Sequence, residues 1–574
     1  MNKQQIISII DEIGTLLELK GENPFKVRAY HNAARSLETS SQDIATLIST
    51  HELENLPGIG QAMTEKITEL FNTGKLKFYS DLKKEIPQGL LEMIQLPGLG
   101  PKKAKHLYEE LGIKSIGELE YACHENRLLT LKGFGEKSQK KILEGIQFHK
   151  KNESLFLFSK AYREANAVLE ILKKNKHVQQ ISVAGSLRRC KEVVKDIDFV
   201  AASDDPKAVM KTFVTLPGLQ QAISHGETKS SVVLSNGIQV DLRCVSQKEF
   251  PYALHHFTGS KEHNVALRGR AQSMEMKMNE YGLFKGEKLI VCKSEEEIYK
   301  HLGLSYIPPE MRENQGEIQA AEKNKIPQLL TAKDIKGIFH NHTTYSDGKA
   351  SLEEMVKAAQ GLGLEYIGIS DHSQSAFYAH GLKNADIEKQ HKEIEAFNKK
   401  LKNFKIFKGI ESDILADGSL DYDEKTLKKF DFVIASIHSR FKMTEKEMTE
   451  RIIKALQNPF TTMLGHMTGR LLLSREPYQL DVKKIIDTAV KHKKIIELNA
   501  NPYRLDIDWR HLHYAKEKGL KISINPDAHN VKGVADFEYG VGIARKGWME
   551  KGNVINTMGL RDMEKYLRNS TRES

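Results

Sequence analysis

Seven short apolar runs between residues 336 and 525 alternate with stretches of helical periodicity. They are KGIFH (336–340), YIGIS (366–370), FKIFKG (404–409), FDFVIAS (430–436), TTMLG (461–465), KIIELN (494–499) and KISIN (521–525). Runs of this kind suit parallel strands buried on both faces, and parallel neighbours need a crossover between them. The alternation therefore predicts a β/α barrel or a doubly wound sheet.

Six of the seven runs end in, or are closely followed by, side chains able to hold a metal. His340 and His342 follow the first, with Asp347 five residues on, and Asp371-His372 follow the second. Glu411, His438 and His466 follow the third, fourth and fifth, and Asp527 and His529 the seventh. In β/α barrels chemistry gathers at the C-terminal ends of the strands, where the βα loops open. Imidazole and carboxylate ligands suit Zn²⁺, Mn²⁺ or Fe²⁺. A single histidine at a strand end is as well explained by an ordinary hydrogen bond; nine candidates in register, Asp371 aside, are not. His380, His391, His492, His511 and His513 match no such position and read as surface or core.

Residues 1–150 read as helical, with Ile6, Ile9, Ile10, Ile13, Leu16 and Leu17 at three and four spacing. One punctuation recurs there: LPGIG (56–60), LPGLG (96–100) and LKGFG (131–135). The pairs Gly58/Gly60, Gly98/Gly100 and Gly133/Gly135 allow a tight turn and leave free N–H groups at the next helix start, where an anion is favoured. Lysines follow each pair: Lys66; Lys102 and Lys103; Lys137, Lys140 and Lys141. A phosphodiester fits such a place without any base contact. One Gly-x-Gly is routine capping, but three copies with lysines point to DNA-backbone binding and resemble helix-hairpin-helix motifs.

The segments ISVAGS (181–186), IDFVAA (197–202), SVVLS (231–235) and IQVDLR (238–243) read as strands of a mixed α/β unit. Asp196 and Asp198, two apart on one strand, share a face. Asp241 lies on another. Three carboxylates so placed are what two-metal phosphoryl transfer requires. Gly185 and Ser186 offer phosphate donors, and Arg188 or Arg189 adds charge. No GxxxxGK[ST] occurs, which excludes a P-loop enzyme.

Composition narrows the remaining classes. The chain has 574 residues, 40% hydrophobic and 28% charged, and a net charge of +10. Disorder is excluded, several domains are expected, and the charge suits a nucleic-acid partner. No apolar run approaches the roughly 18 residues of a membrane span. No signal-peptide pattern opens the chain, and Cys123, Cys190, Cys244 and Cys292 form no CxxC pair. The expectation is a cytoplasmic, nucleoid-associated monomer without membrane contact.

Taken in order, GSLRR, DIDFV, VDLR and HHFTGSKEHN resemble the palm and nucleotide-binding region of DNA polymerase family X. The resemblance implies that Asp196, Asp198 and Asp241 bind two Mg²⁺ or Mn²⁺, with Asp241 accepting the proton of the primer 3′-OH. It places Gly185, Ser186 and Arg189 on the triphosphate of an incoming dNTP, and Phe257, Thr258 and Gly259 along its sugar. Asn264 would reach the base edge and Arg268 the template strand. His256-Phe257 stands where animal members have Tyr-Phe, which leaves ribose discrimination open. NPFKVRAYHNAARSL (23–37) resembles the family's small amino-terminal domain. Lys66 falls where that domain has a lyase lysine, but Ala62 replaces a further lysine, so Lys66 reads as a phosphate-binding or surface lysine with weak or absent lyase activity.

The strand-end cluster resembles the PHP (polymerase and histidinol phosphatase) domain. This implies a (β/α)7 barrel and up to three Mn²⁺ or Zn²⁺. His340, His342, Glu411 and Asp527 would hold one ion, Glu411, His438 and His466 a second, and Asp347, His372 and His529 a third. Arg470 would clamp a substrate phosphate. The whole chain resembles a bacterial or archaeal family X polymerase with lyase-like (1–85) and second helix-hairpin-helix (86–150) domains. Palm (151–248), thumb (249–316), linker (317–333) and PHP domain (334–574) follow. The implied function is template-directed gap filling in base excision repair on gapped or primer-template DNA, with 3′-5′ exonuclease or 3′-end processing. The alternatives are a nuclease with a scaffold-like polymerase half, and a polymerase with a structural PHP domain.

Overall fold

The computed structural model describes every residue except Asn2, Ser41, Pro97, Glu153, Glu573 and Ser574. Pro97, within the second Gly-x-Gly motif, thus lies outside the described residues. The chain divides into two compact units, Met1–Ser154 and Leu155–Ser574.

The first unit is helical. Its glycine pairs are built alike. Gly58, Gly98 and Gly133 take φ of 80°, 87° and 90°, a conformation that costs glycine nothing and an L-residue about 1–2 kcal/mol. Gly60 and Gly100 cap the helices Gln61–Thr73 and Pro101–Leu111, and Gly135 immediately precedes Glu136–Asn152. The apolar residue between each pair (Ile59, Leu99 or Phe134) is buried. Each motif is therefore an apolar plug that leaves the following helix start turned outward.

The second unit holds three layered parts. The palm is a five-stranded sheet of β1 (Val178–Val183), β2 (Asp196–Ser203), β3 (Leu219–His225), β4 (Lys229–Leu234) and β5 (Gln239–Val245). Their spatial order is β1-β2-β5-β4-β3, and β2 runs parallel to β5. The first strand stops at Val183, and the expected strand end Gly185-Ser186 instead opens a short helix, Gly185–Arg188. Strand β3 was not expected: its residues are exposed except half-buried Leu219, so it carries no apolar alternation.

The thumb carries a three-stranded antiparallel sheet of β6 (Met276–Asn279), β7 (Gly282–Lys285) and β8 (Lys288–Ile290). The expected linker is not slack. Residues Glu317–Glu322 form a helix whose Ile318 and Ala321 join the thumb core. Leu329 then bridges to Glu550, and Leu330 N–H donates to the Met549 carbonyl. Sparse apolar residues hid this, because Glu317 is buried as the ion-pair partner of His263 rather than solvated.

The C-terminal part is a parallel sheet of seven strands: β9 (Gly337–Ile338), β10 (Tyr366–Ile369), β11 (Lys405–Asp413), β12 (Phe432–Ser436), β13 (Met463–Leu464), β14 (Ile495–Asn499) and β15 (Ile522–Asn525). They pair in sequence order, and a parallel bridge between Asn341 and Ala528 brings the last beside the first. This is the barrel alternative, a (β/α)7 arrangement. Phe339, Tyr366, Phe407 and Phe432 pack together inside it, against Met563 and Leu567 of the last helix. Burying each such ring is worth about 1.5–3 kcal/mol, so one end of the barrel is a solid core and the polar side chains are left to the other. No helix among the described residues is long and apolar enough to cross a membrane.

Candidate active sites

In the palm, Asp198 on β2 stands directly opposite Asp241 on β5, and Asp196 opposite Gln239. Asp196 and Asp198 are half-buried while Ile197 between them is buried, so both carboxylates share one face. Gln239 Nε2 donates to both oxygens of Asp241, at 3.1 and 3.2 Å. Burial, then the charges of Asp196 and Asp241, push the Asp198 carboxyl up to about 7 despite Arg189 and Arg243. Burial and Asp241 raise Asp196 as well. A site that resists its own negative charge in this way fits divalent cations.

Gly185 abuts this cluster with φ +59°, and a Cβ there would lie 2.0 Å from Asp198 Oδ2. Only a glycine lets the loop pass so close. Ser186 follows it, half-buried, on the first turn. The two arginines turn toward the thumb. Arg188 donates to Thr258 Oγ1 at 2.6 Å and to both oxygens of Glu295. Arg189 donates to the Thr258 carbonyl at 2.7 Å and to Glu313 at 3.0 Å. The Arg243 guanidinium stacks 4.4 Å over the ring of Phe257. Asn264 Nδ2 donates to the His256 carbonyl at 2.7 Å, its Oδ1 lies against Gly259, and Arg268 Nε donates to the Asn264 carbonyl. Every nucleotide-side candidate thus falls along one continuous edge of palm and thumb. In the first unit, Lys66 is half-buried, with its amine on the Ala62 carbonyl at 2.9 Å.

The barrel's polar end gathers the nine other ligand candidates. Glu411 lies at their centre, and within β11 rather than after it, because β11 runs on to Asp413 beside β12. Its Oε1 is 3.2 Å from His340 Nε2, 3.3 Å from His438 Nε2 and 2.9 Å from His466 Nε2. His342 Nε2 lies 3.7 Å from Glu411 Oε2 and 3.3 Å from Asp527 Oδ1. Asp347 Oδ1 lies 3.6 Å from His372 Nε2 and 3.4 Å from His529 Nε2. The groups overlap: His342 also falls with Asp347, His372 and His529, and His372 with Glu411 and His438.

The donor set fits metal ions. Both ring nitrogens of His342, His340 Nε2 and Glu411 Oε2 are buried without a hydrogen-bond partner. Burial would lower His340, but Glu497, Glu411 and Asp527 raise it well above the usual imidazole range. Burial and the neighbouring His529 and His372 push His342 down to about 3. His340 and Asp527 hold φ of 57° and 51°, a strained backbone that a surrounding structure must enforce.

Residues behind the ligands escaped the sequence. Glu497 on β14 accepts from His340 Nδ1 at 2.6 Å, from the His466 N–H at 2.7 Å and from Asn525 Nδ2 at 2.9 Å. Asp413 accepts from His438 Nδ1 at 2.6 Å. Such carboxylate–histidine pairs fix which ring nitrogen faces a metal. A charged residue inside the apolar run KIIELN was the available signal. Asp371 is no ligand-cluster member; it takes bonds from the Thr343 N–H and hydroxyl, Ser346 and Gln390, and so pins the first loop.

Arg470 does not face the cluster. Its guanidinium is buried on Asp508 at 2.6 Å and on the carbonyls of Arg504 and Leu505. Arg504 stands nearer, with Nε 3.4 Å from Asp527 Oδ2 and a buried Nη1 that has no hydrogen-bond partner.

Known families match along the chain: a helix-hairpin-helix domain over residues 1–76, a SAM-like helix-hairpin-helix tandem over 90–147, the DNA polymerase beta thumb over 253–313 and the PHP domain over 339–501. The DNA polymerase/3′-5′ exonuclease PolX of Bacillus subtilis (strain 168) is 41% identical over 99% of this chain and 100% of its own length. The repair DNA polymerase X of African swine fever virus is 30% identical over 26% of this chain and 89% of its own. A probable phosphatase of Thermoanaerobacter sp. (strain X514) is 28% identical over 42% of this chain and 98% of its own. With the palm triad, the thumb and the barrel cluster on one chain, the protein belongs to the PolX branch of DNA polymerase family X.

Proposed function

We propose that the chain is a template-directed DNA polymerase that fills short gaps during base excision repair, and that its barrel is a 3′-5′ exonuclease acting on the same primer. The observation that carries the first reading is the opposition of Asp198 and Asp241 on parallel strands beside the Gly185 turn. Asp196, Asp198 and Asp241 would hold two Mg²⁺ or Mn²⁺, which lower the pKa of the primer hydroxyl and offset charge on the departing pyrophosphate. Asp241 takes the hydroxyl proton, the Gly185-Ser186 turn and Arg189 hold the triphosphate, and Phe257, Thr258 and Gly259 fix the sugar. Base pairing supplies sequence, while the three glycine hairpins and their lysines hold backbone phosphates.

At the barrel, up to three Mn²⁺ or Zn²⁺ would supply an attacking hydroxide at neutral pH and neutralise the scissile phosphate. His340 and His438 are oriented for this by Glu497 and Asp413. Arg504, with its unpartnered Nη1, is a better phosphate clamp than Arg470. Phe377 and Tyr503, 85% and 60% exposed on loops after β10 and β14, offer flat faces for a frayed 3′ base.

The test is a 3′-terminal primer in a one-nucleotide gap bearing a 5′-phosphate, with Mn²⁺. Growth by one nucleotide with the templated dNTP and shortening without it are expected. Shortening in both lanes would leave residues 1–316 as a DNA-holding scaffold. A chain that extends but never shortens would leave the barrel structural.

A further inference from the structure

The barrel reaches into the palm through a buried lysine. Lys546 ends the barrel-domain helix Phe537–Lys546, and its side chain is fully buried. Its amine donates to Glu313 Oε1 at 2.5 Å and to the Arg189 carbonyl at 2.9 Å. Glu313 Oε1 is the same oxygen that Arg189 Nε uses, at 3.0 Å. Glu313 is itself 9% exposed, and its next cation, Lys191, is 3.9 Å from the other oxygen. The docking around this point is close. The Lys546 amine lies 4.6 Å over the ring of Trp509, whose Nε1 donates to Glu192 at 3.2 Å, and Arg510 pairs with Glu192 at 2.9 Å. A Cβ on Gly542 would come within 3.2 Å of Cys190 Sγ, one residue past Arg189.

We infer that Lys546 is a positioning residue of the polymerase site: by sharing Glu313, it limits how tightly that carboxylate holds Arg189 and so leaves Arg189 able to take the incoming triphosphate. The inference rests on the reading that Arg189 binds that triphosphate. Two cations on one buried oxygen divide its field between them. Without the amine, Glu313 has one close partner, and in a site of low effective dielectric that pair tightens. The triphosphate must then compete with a carboxylate for the same guanidinium. Binding of dNTP suffers and the chemical step, once dNTP is bound, does not.

The experiment uses the full chain on a one-nucleotide gap with varied dNTP. Lys546→Met is expected to raise the dNTP KM about tenfold with kcat within about twofold, a pure loss of binding. Adding Glu313→Gln to Lys546→Met removes the competing charge and is expected to return KM to near the parent value. Arg189→Ala tests the underlying reading. If it leaves the dNTP KM unchanged, Arg189 does not bind the triphosphate and that reading fails. If it raises KM while Lys546→Met does not, the role of Lys546 is refuted alone. A raised KM that Glu313→Gln does not reverse refutes it too, because the effect then runs through docking. Should Lys546→Met unfold, seen as loss of exonuclease and of the melting transition, Glu313→Gln alone decides. An unchanged or lowered KM supports the sharing, and a rise like that of Arg189→Ala overturns it.

Discussion

Replacing Gly185 by alanine should stop polymerisation and spare the exonuclease. At φ +59° the backbone strain on an L-residue is modest, about 1–2 kcal/mol, too little to unfold the palm. The contact is the larger effect. The new Cβ would stand 2.0 Å from Asp198 Oδ2 and 3.0 Å from its Cγ, whereas carbon and oxygen normally approach to about 3.3 Å. One of the two must therefore yield by about 1.3 Å. The turn is held to β2 by the Ala184 N–H on the Asp198 carbonyl at 2.8 Å, so the carboxylate is the part that moves. Mg²⁺ demands ligands at about 2.0–2.1 Å in near-octahedral array, and a misplacement of about 1 Å in a reacting site costs on the order of a hundredfold in rate. Single-turnover extension of a gapped primer should fall by roughly that factor or more. Degradation of the same primer and the melting temperature serve as controls. Gly185→Ala extending within about threefold of the parent would refute the argument, since about 0.6 kcal/mol is less than the displacement can cost.

The Asp198 carboxyl, pushed up to about 7, gives a pH dependence with a definite sign. Its folded value lies above the unfolded one of about 3.9, so the metal-free protein binds the extra proton between these values and loses stability as pH rises through that window. Asp198→Asn should accordingly raise the melting temperature of the metal-free protein at pH 8 more than at pH 5, by no more than about 4 kcal/mol in stability; equal effects at both pH values would contradict this. Arg504→Ala should lower exonuclease kcat/KM about tenfold or more with little change in melting. Arg470→Ala, which takes the guanidinium from the Arg504 and Leu505 carbonyls while Asp508 keeps Arg510 at 2.8 Å, should instead cost about 1–3 kcal/mol of stability. Thermal melts beside nuclease assays separate the two, and the reverse pattern would restore Arg470 as the clamp. Lys66→Ala should flatten the salt dependence of DNA binding by about one phosphate contact, and borohydride should trap no covalent adduct to Lys66. A trapped adduct lost with that substitution would make it a lyase nucleophile.

Much of this protein is written in local signals. Seven apolar runs, three Gly-x-Gly hairpins and an Asp-x-Asp pair are short-range patterns that burial, tight turning and strand alternation impose on any chain that uses them. They carried the ligand histidines, Asp198 and Asp241 because strand ends and strand faces follow from periodicity alone. Tertiary structure decided what depends on where distant segments meet. Glu497 became the support of His340 only when closure of the barrel brought β14 to within one strand of β9. Arg470 was turned from the site by Asp508, 38 residues on. The segment after Glu317 became thumb core, and Lys546 came to share an oxygen with Arg189 across 357 residues. A chain's own pattern fixes which face of an element is buried; it cannot say which charge waits on the other side, because that pairing is made by packing between elements that sequence distance does not relate.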